Sequence, residues 1–154
     1  MVQLAQVNVA KMLAPTDDPV MAEFVENLEP INALADAAPG FIWRLQTADG
    51  DATSLRVFDD TLIIVNMSVW TSVEALKSYV YKSRHVDFVR RRKAWFERFV
   101  GMHYALWWVP KGHIPDVLEA KERLEYRELY GDTEKAFSFQ NLHEPKLFSE
   151  TSQI

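Results

Sequence analysis

Asn66, Ser68 and Trp70 alternate with Met67 and Val69 immediately before Thr71-Ser72-Val73-Glu74, and this junction constrains the fold more than any other part of the chain. A period of two makes a strand, and the run Leu62-Ile63-Ile64-Val65 ahead of it predicts burial on both faces. Thr71 or Ser72 then caps a helix, with Glu74 in the first turn, where the helix dipole favours negative charge. A buried strand that carries an amide, a hydroxyl and an indole N–H on one face must hydrogen-bond them to something, because an unpaired buried polar group costs about 1–3 kcal/mol. A ligand or reacting substrate, trapped water and the protein's own side chains all satisfy that demand, and the sequence leaves these readings open.

The other elements follow from the same signals. Residues 3–12 set Leu4, Gln6 and Asn8 against Ala5, Val7 and Val9 and read as a first strand. Asp17 or Asp18 caps a helix with Pro19 in its first turn, and Val20, Phe24, Leu28, Ile31 and Leu34 recur at helical spacing up to the breaker Ala38-Pro39-Gly40. Residues 41–47 predict a second strand, the polar segment 48–60 a hairpin connection and 61–70 the third strand. Helical periodicity then runs from Ser72 to about Val100, interrupted at Ser83-Arg84-His85 and closed by Gly101. Residues 103–109 predict a fourth strand, 110–115 a turn, 116–130 an amphipathic helix closed by Gly131, and 136–139 a short last strand. The order βαββαβ with an αβ extension is an α+β, ferredoxin-like split βαβ: an open antiparallel sheet with helices on one face. Its other face needs a cover, which a second copy packing sheet on sheet would supply, so a homodimer is expected.

With 154 residues, 48% of them apolar, the chain can bury a core as one domain, expected over 1–145 with a frayed tail at 146–154. It has no cysteine, which excludes disulfides and thiolate chemistry. A net charge of −5 argues against broad nucleic-acid binding. The cluster Arg90-Arg91-Arg92-Lys93 spreads around a helix as a solvated face, or turns one arginine inward toward an anionic ligand. Without a signal peptide or an apolar run near the roughly 20 residues of a membrane span, a soluble cytoplasmic protein is expected.

In the split βαβ order the first and third strands are central neighbours, which places Gln6 and Asn8 beside Asn66 and Ser68. An amide or indole N–H there could hold a carbonyl or phenolate oxygen and stabilise its developing charge. Equally, the four side chains could form a satisfied polar cluster that holds water or fixes a dimer interface. His85 suits a general base or an axial ligand by its near-neutral pKa, and suits a helix cap equally well. One of the adjacent Trp107 and Trp108 must share the face of Trp70 and wall any pocket there. His103 and His113 show no metal-ligand spacing, and no metal site is expected.

Asn66 to Trp70 with Ser72 to Leu76, the segment Tyr79 to His85, the arginine-rich helix ending in Trp95-Phe96, Leu106-Trp107-Trp108-Val109-Pro110-Lys111-Gly112-His113-Ile114-Pro115 and Ala136 to Phe139 together resemble the bacterial and fungal family called domain of unknown function 3291. The resemblance spans nearly the whole chain. It implies a dimeric α+β barrel akin to antibiotic-biosynthesis monooxygenases. Cofactor-free quinone-forming members of that superfamily carry an asparagine and a tryptophan four residues apart on a strand, the spacing of Asn66 and Trp70. Tyr79 and Arg90 or Arg91 are the nearest matches to their tyrosine and arginine, displaced in register. Haem-degrading relatives combine an asparagine on the first strand, a tryptophan on the third and a histidine on the next helix, an order that Asn8, Trp70 and His85 follow at a longer interval.

The resemblance thus implies oxidation or rearrangement of a small aromatic or polyketide-like compound without a bound cofactor. Asn66 and Trp70 would hold the substrate oxygen, His85 or Tyr79 would move a proton, and Arg90 or Arg91 would steady an anion beside Asn8, Gln6, Ser68, Trp107 and Trp108. The alternatives are a haem-binding protein with His85 as ligand and a non-catalytic dimer that binds a metabolite or a protein partner.

Overall fold

β1 (Val2–Met12) is the strand on which the other elements are assembled. In the computed structural model, which describes residues 1–46, 62–82, 95–97 and 103–145, it is paired along both edges. β3 (Ile63–Trp70) lies antiparallel along one edge, with Leu4 opposite Trp70, Gln6 opposite Ser68 and Asn8 opposite Asn66. β2 (Phe41–Arg44) extends the sheet beyond β3, with an irregularity between Phe41 and Trp43. The other edge of β1 is shared. β5 (Tyr104–Pro110) takes residues Val2 to Asn8, and the short β4 (Phe96–Glu97) takes Lys11 and Met12.

β4 corrects the helix expected to run to Val100, at least at its far end. Trp95, Phe96 and Phe99 fall at a spacing a helix could use, but β1 outruns β5 by four residues, from Val9 to Met12, whose backbone groups need partners. Val9 N–H donates to the His103 carbonyl at 2.8 Å and Leu13 N–H to the Trp95 carbonyl at 2.7 Å, so the ladder is continued by an extended segment. Trp95 and Phe96 then pack with Met12, Met21 and Phe24, the Phe24 and Phe96 rings meeting edge to face at 5.0 Å. The last expected strand is likewise reduced. Phe137 and Leu106 exchange two backbone hydrogen bonds of 2.9 Å as an isolated bridge, and the fully buried Phe137 ring anchors the segment.

Two helices lie on one face. Asp18 caps a 3-10 turn (Pro19–Met21) that leads into α1 (Ala22–Ala37), and the Ser72 hydroxyl accepts the Ala75 N–H at the start of α2 (Val73–Lys82). Gly40 joins α1 to β2 with φ +84°, and a Cβ there would stand 2.5 Å from that of Ala75 and 2.6 Å from Thr71 Oγ1. Only glycine allows this approach of β2 to α2. The Tyr79 hydroxyl donates to the Ile31 carbonyl at 3.2 Å and ties α2 to α1.

The opposite face is not bare. α3 (Val117–Tyr130), capped by Asp116 and ended by Gly131 at φ +75°, lays Val117, Ala120 and Leu124 over Ala5, Val7, Met67, Val69, Ala105, Trp107 and Val109. These sheet residues are at most 2% exposed. The cover expected from a second chain is therefore largely supplied within this one. Beyond α3, Asp132 pins the chain back: it accepts from Arg127 Nε at 2.7 Å, from Asn141 Nδ2 at 2.7 Å and from Ser138 Oγ at 2.8 Å. Burial alone would raise the Asp132 pKa, but these bonds and the Arg127 charge hold it below the usual carboxylate value. No described helix is long and apolar enough to cross a membrane.

Candidate functional site

The even-numbered residues of β1 and β3 share one face, and the register sorts them into rows across the sheet. The row Leu4, Trp70 and Trp108 is covered by an apolar cluster that includes Leu76, Phe137 and Tyr79. At the other end, Met12 with Leu62 and Ile64 is covered by Phe24, Met21 and Trp95. Between them, Gln6, Ser68 and Leu106 are buried, and the row after that, Asn8 and Asn66 with Tyr104, opens to solvent. Two carboxamides on the two central strands are thus exposed between two apolar clusters, and this uncovered strip of the sheet face is the slot.

The polar groups expected from the alternation are brought together and bond to one another. Gln6 Nε2 donates to Asn66 Oδ1 at 2.8 Å and to Ser68 Oγ at 2.7 Å. Asn8 Nδ2 donates to Gln6 Oε1 at 3.2 Å and to Asn66 Oδ1 at 3.3 Å. Trp70 Nε1 donates to Ser68 Oγ at 2.8 Å. Trp70 is 1% exposed, boxed in edge-on by Phe41 at 5.4 Å and stacked by Tyr79 at 5.3 Å. Its N–H is committed to Ser68, so it does not reach the slot as a free donor, contrary to the expectation that it holds a substrate oxygen.

Tyr79 is placed behind Trp70, not in the slot. Burial pushes its phenol up to about 12, with the Arg44 charge pulling it down and the Asp36 charge raising it by smaller amounts. A phenol held there keeps its proton throughout the neutral range, and its hydroxyl is already spent on the Ile31 carbonyl. Tyr79 also lines a shallow groove of about 520 Å³ between the end of α1 and the start of α2, whose walls include Leu34, Pro39, Glu74 and Ser78 but none of the slot residues.

Trp108 shares the face of Trp70, packs against Phe137 and donates its N–H to the His143 carbonyl at 2.8 Å. Trp107 points to the other face, where it is fully buried among the α3 contacts, so it cannot wall the slot. Its N–H instead donates to Glu119 Oε2 at 2.9 Å, while Glu119 Oε1 lies 2.7 Å from His113 Nε2. This Trp107–Glu119–His113 chain was not visible from spacing, because it joins a strand, a turn and a helix. Its use here is to fix the turn after β5 onto α3. Tyr104 was also missed as a slot residue, although register follows once β1 and β5 are paired. His85, Arg90 and Arg91 lie outside the described residues, and with them the axial ligand of the haem reading. Among the described residues no three His, Asp or Glu side chains form a group that could hold a metal ion.

An open antiparallel sheet ordered β2, β3, β1, β5, with α1 and α2 on one face, defines an α+β protein of the ferredoxin-like type. The model of the family described as Domain of unknown function (DUF3291) matches residues 3–153, and the chain belongs to that family. Among solved structures it is similar to SnoaB from Streptomyces nogalater, described as a cofactor-independent oxygenase, at 18% identity over 75% of this chain and 100% of that one, with a TM-score of 0.51. A dabb family protein with a ferredoxin-like fold from Mesorhizobium loti is 17% identical over 73% of this chain and 100% of that one, with a TM-score of 0.45. No curated protein is significantly similar to the chain. At these identities the likeness to SnoaB bears on the fold alone.

Proposed function

We propose that this protein binds a small aromatic or polyketide-like molecule in the slot above Asn8 and Asn66. The observation that carries the reading is the exposure of two carboxamides on the central strands, between two apolar clusters that would flank a ring. Gln6, Ser68 and Trp70 act beneath them, holding the amides in one orientation by the chain of bonds that begins at the indole N–H. They are positioning residues. SnoaB is described as a cofactor-independent oxygenase, which makes oxygenation without a bound cofactor the first chemistry to test, with Asn66 against the substrate oxygen and Arg90, Arg91 and His85 as further candidates.

A second reading, a binding protein without chemistry, is favoured by a specific observation. The donors of Trp70 and Tyr79 are both committed to protein acceptors, so neither is poised to pass a proton to a ligand. A homodimer belongs to either reading. The test is a screen of hydroxylated ring compounds against the wild type and Asn66→Ala, with oxygen consumption measured for each ligand found. Binding that falls about tenfold or more in the variant, while its circular dichroism is unchanged, is expected. Wild-type affinity in Asn66→Ala removes the slot as the site.

A further inference from the structure

The hydrogen bonds under the slot have a direction, and that direction limits what the slot can hold. An indole N–H only donates, so Ser68 Oγ must accept from Trp70. Gln6 spends both hydrogens of its NH2 group on Ser68 and Asn66, and its carbonyl accepts from Asn8. Asn8 spends its second hydrogen on Asn66 Oδ1. Every inward group of the three carboxamides is thereby used. Asn66 Nδ2 and Asn8 Oδ1 are left, with no protein partner among the described residues, at the exposed end of the network. Turning all three carboxamides together keeps every contact and gives the buried Ser68 hydroxyl an acceptor in Gln6. It also exchanges the roles of Asn8 and Asn66. Under either polarity the slot presents one NH2 group and one carbonyl.

We infer that the ligand is a ring compound with a hydrogen-bond donor and an acceptor side by side on one edge, of which the cis-amide edge of a lactam or imide is the simplest case. This rests on the slot being the binding site. A ligand with acceptors only would leave the protein carbonyl facing lone pairs, and one with donors only would do the same to the NH2 group. Among the described residues, the rows of Gln6, Asn8 and Ala10 across β1, β3 and β5 carry no acidic or basic side chain, so the two carboxamides are the polar groups that select there.

Three ring probes of similar size separate the cases: 2-quinolone carries both donor and acceptor, N-methyl-2-quinolone only the acceptor, and 2-naphthoate a negative charge. Binding is read from the side-chain NH2 signals of Asn8 and Asn66 in proton–nitrogen correlation spectra. 2-Quinolone is expected to move both, with the N-methyl compound and 2-naphthoate, which lack the donor, each about three- to tenfold weaker. Asn66→Asp keeps the acceptor for Gln6 and Asn8 but replaces the outward NH2 by a second acceptor. It is expected to bind 2-quinolone about tenfold more weakly than the wild type, read at Asn8. Equal affinity for 2-quinolone and either other probe, or unchanged affinity in Asn66→Asp, overturns the donor–acceptor inference and leaves the slot standing. If no probe moves the Asn8 or Asn66 signals, the slot reading itself fails.

Discussion

Ser68 is the residue on which the polar face depends. It is 6% exposed and accepts from both Trp70 Nε1 and Gln6 Nε2. Ser68→Ala strands both donors in a place water does not reach, and is expected to cost about 1–3 kcal/mol, measured by urea denaturation. A change below about 0.5 kcal/mol would mean that the network is not built as described. At this scale the sequence was informative. Alternation put Gln6, Asn8, Asn66, Ser68 and Trp70 on shared faces, and strand order made them neighbours. What alternation cannot supply is register, because a slip of one residue would send the whole polar set to the other face. The same reason left Trp107 and Trp108 unassigned. Parity separates them, but only the pairing of Leu4 with Trp108 says which of the two faces α2.

At the scale of elements, legibility followed length. The long amphipathic runs gave α1 and α3, with Asp17 or Asp18 as the cap ahead of the first, and the structure puts Asp18 at the cap of the 3-10 turn; β4 is two residues long and has no period to detect. It exists because the end of β1 needs a ladder partner, a tertiary demand that local pattern does not carry. The seam between α1 and α2 is likewise tertiary, and it is testable through Tyr79. The phenol sits at about 12 in the folded protein against 10.0 when exposed. Between these values the unfolded chain releases the proton and the folded one keeps it, so stability falls as pH rises. The contribution is complete below pH 10 and gone by about 12. Tyr79→Phe is expected to lose about 0.5–1.5 kcal/mol near neutrality with the bond to Ile31, and to show a shallower alkaline decline than the wild type. Parallel wild-type and variant stability curves from pH 9 upward would rule this out.

For the whole molecule, the decisive fact is that helices of the same chain pack on both faces of the sheet. The sequence suggested one bare face, because an open βαββαβ sheet has helices on one side only and the residues of the other are large. α3 was legible as an amphipathic helix, but its destination was not, since an apolar stripe names no partner. Val117, Ala120 and Leu124 settle on the β1, β3 and β5 face, and Trp107 is buried there with its N–H on Glu119 of the same helix. The Arg127 and Asp132 ion pair, with Ser138 and Asn141, then fastens the chain that follows. Burial of this face is consequently intramolecular and independent of concentration, unlike burial by a second copy. Amide hydrogen exchange of Val7, Met67 and Val109 is expected to be equally slow when the protein is concentrated and when it is diluted far below any dimer dissociation constant found by sedimentation. Leu124→Ala, which removes packing from the cover, is expected to cost about 2–5 kcal/mol and to speed exchange at those amides through global unfolding. If dilution alone releases them in the wild type, a partner chain provides the cover, and α3 does not hold the face that these contacts assign to it.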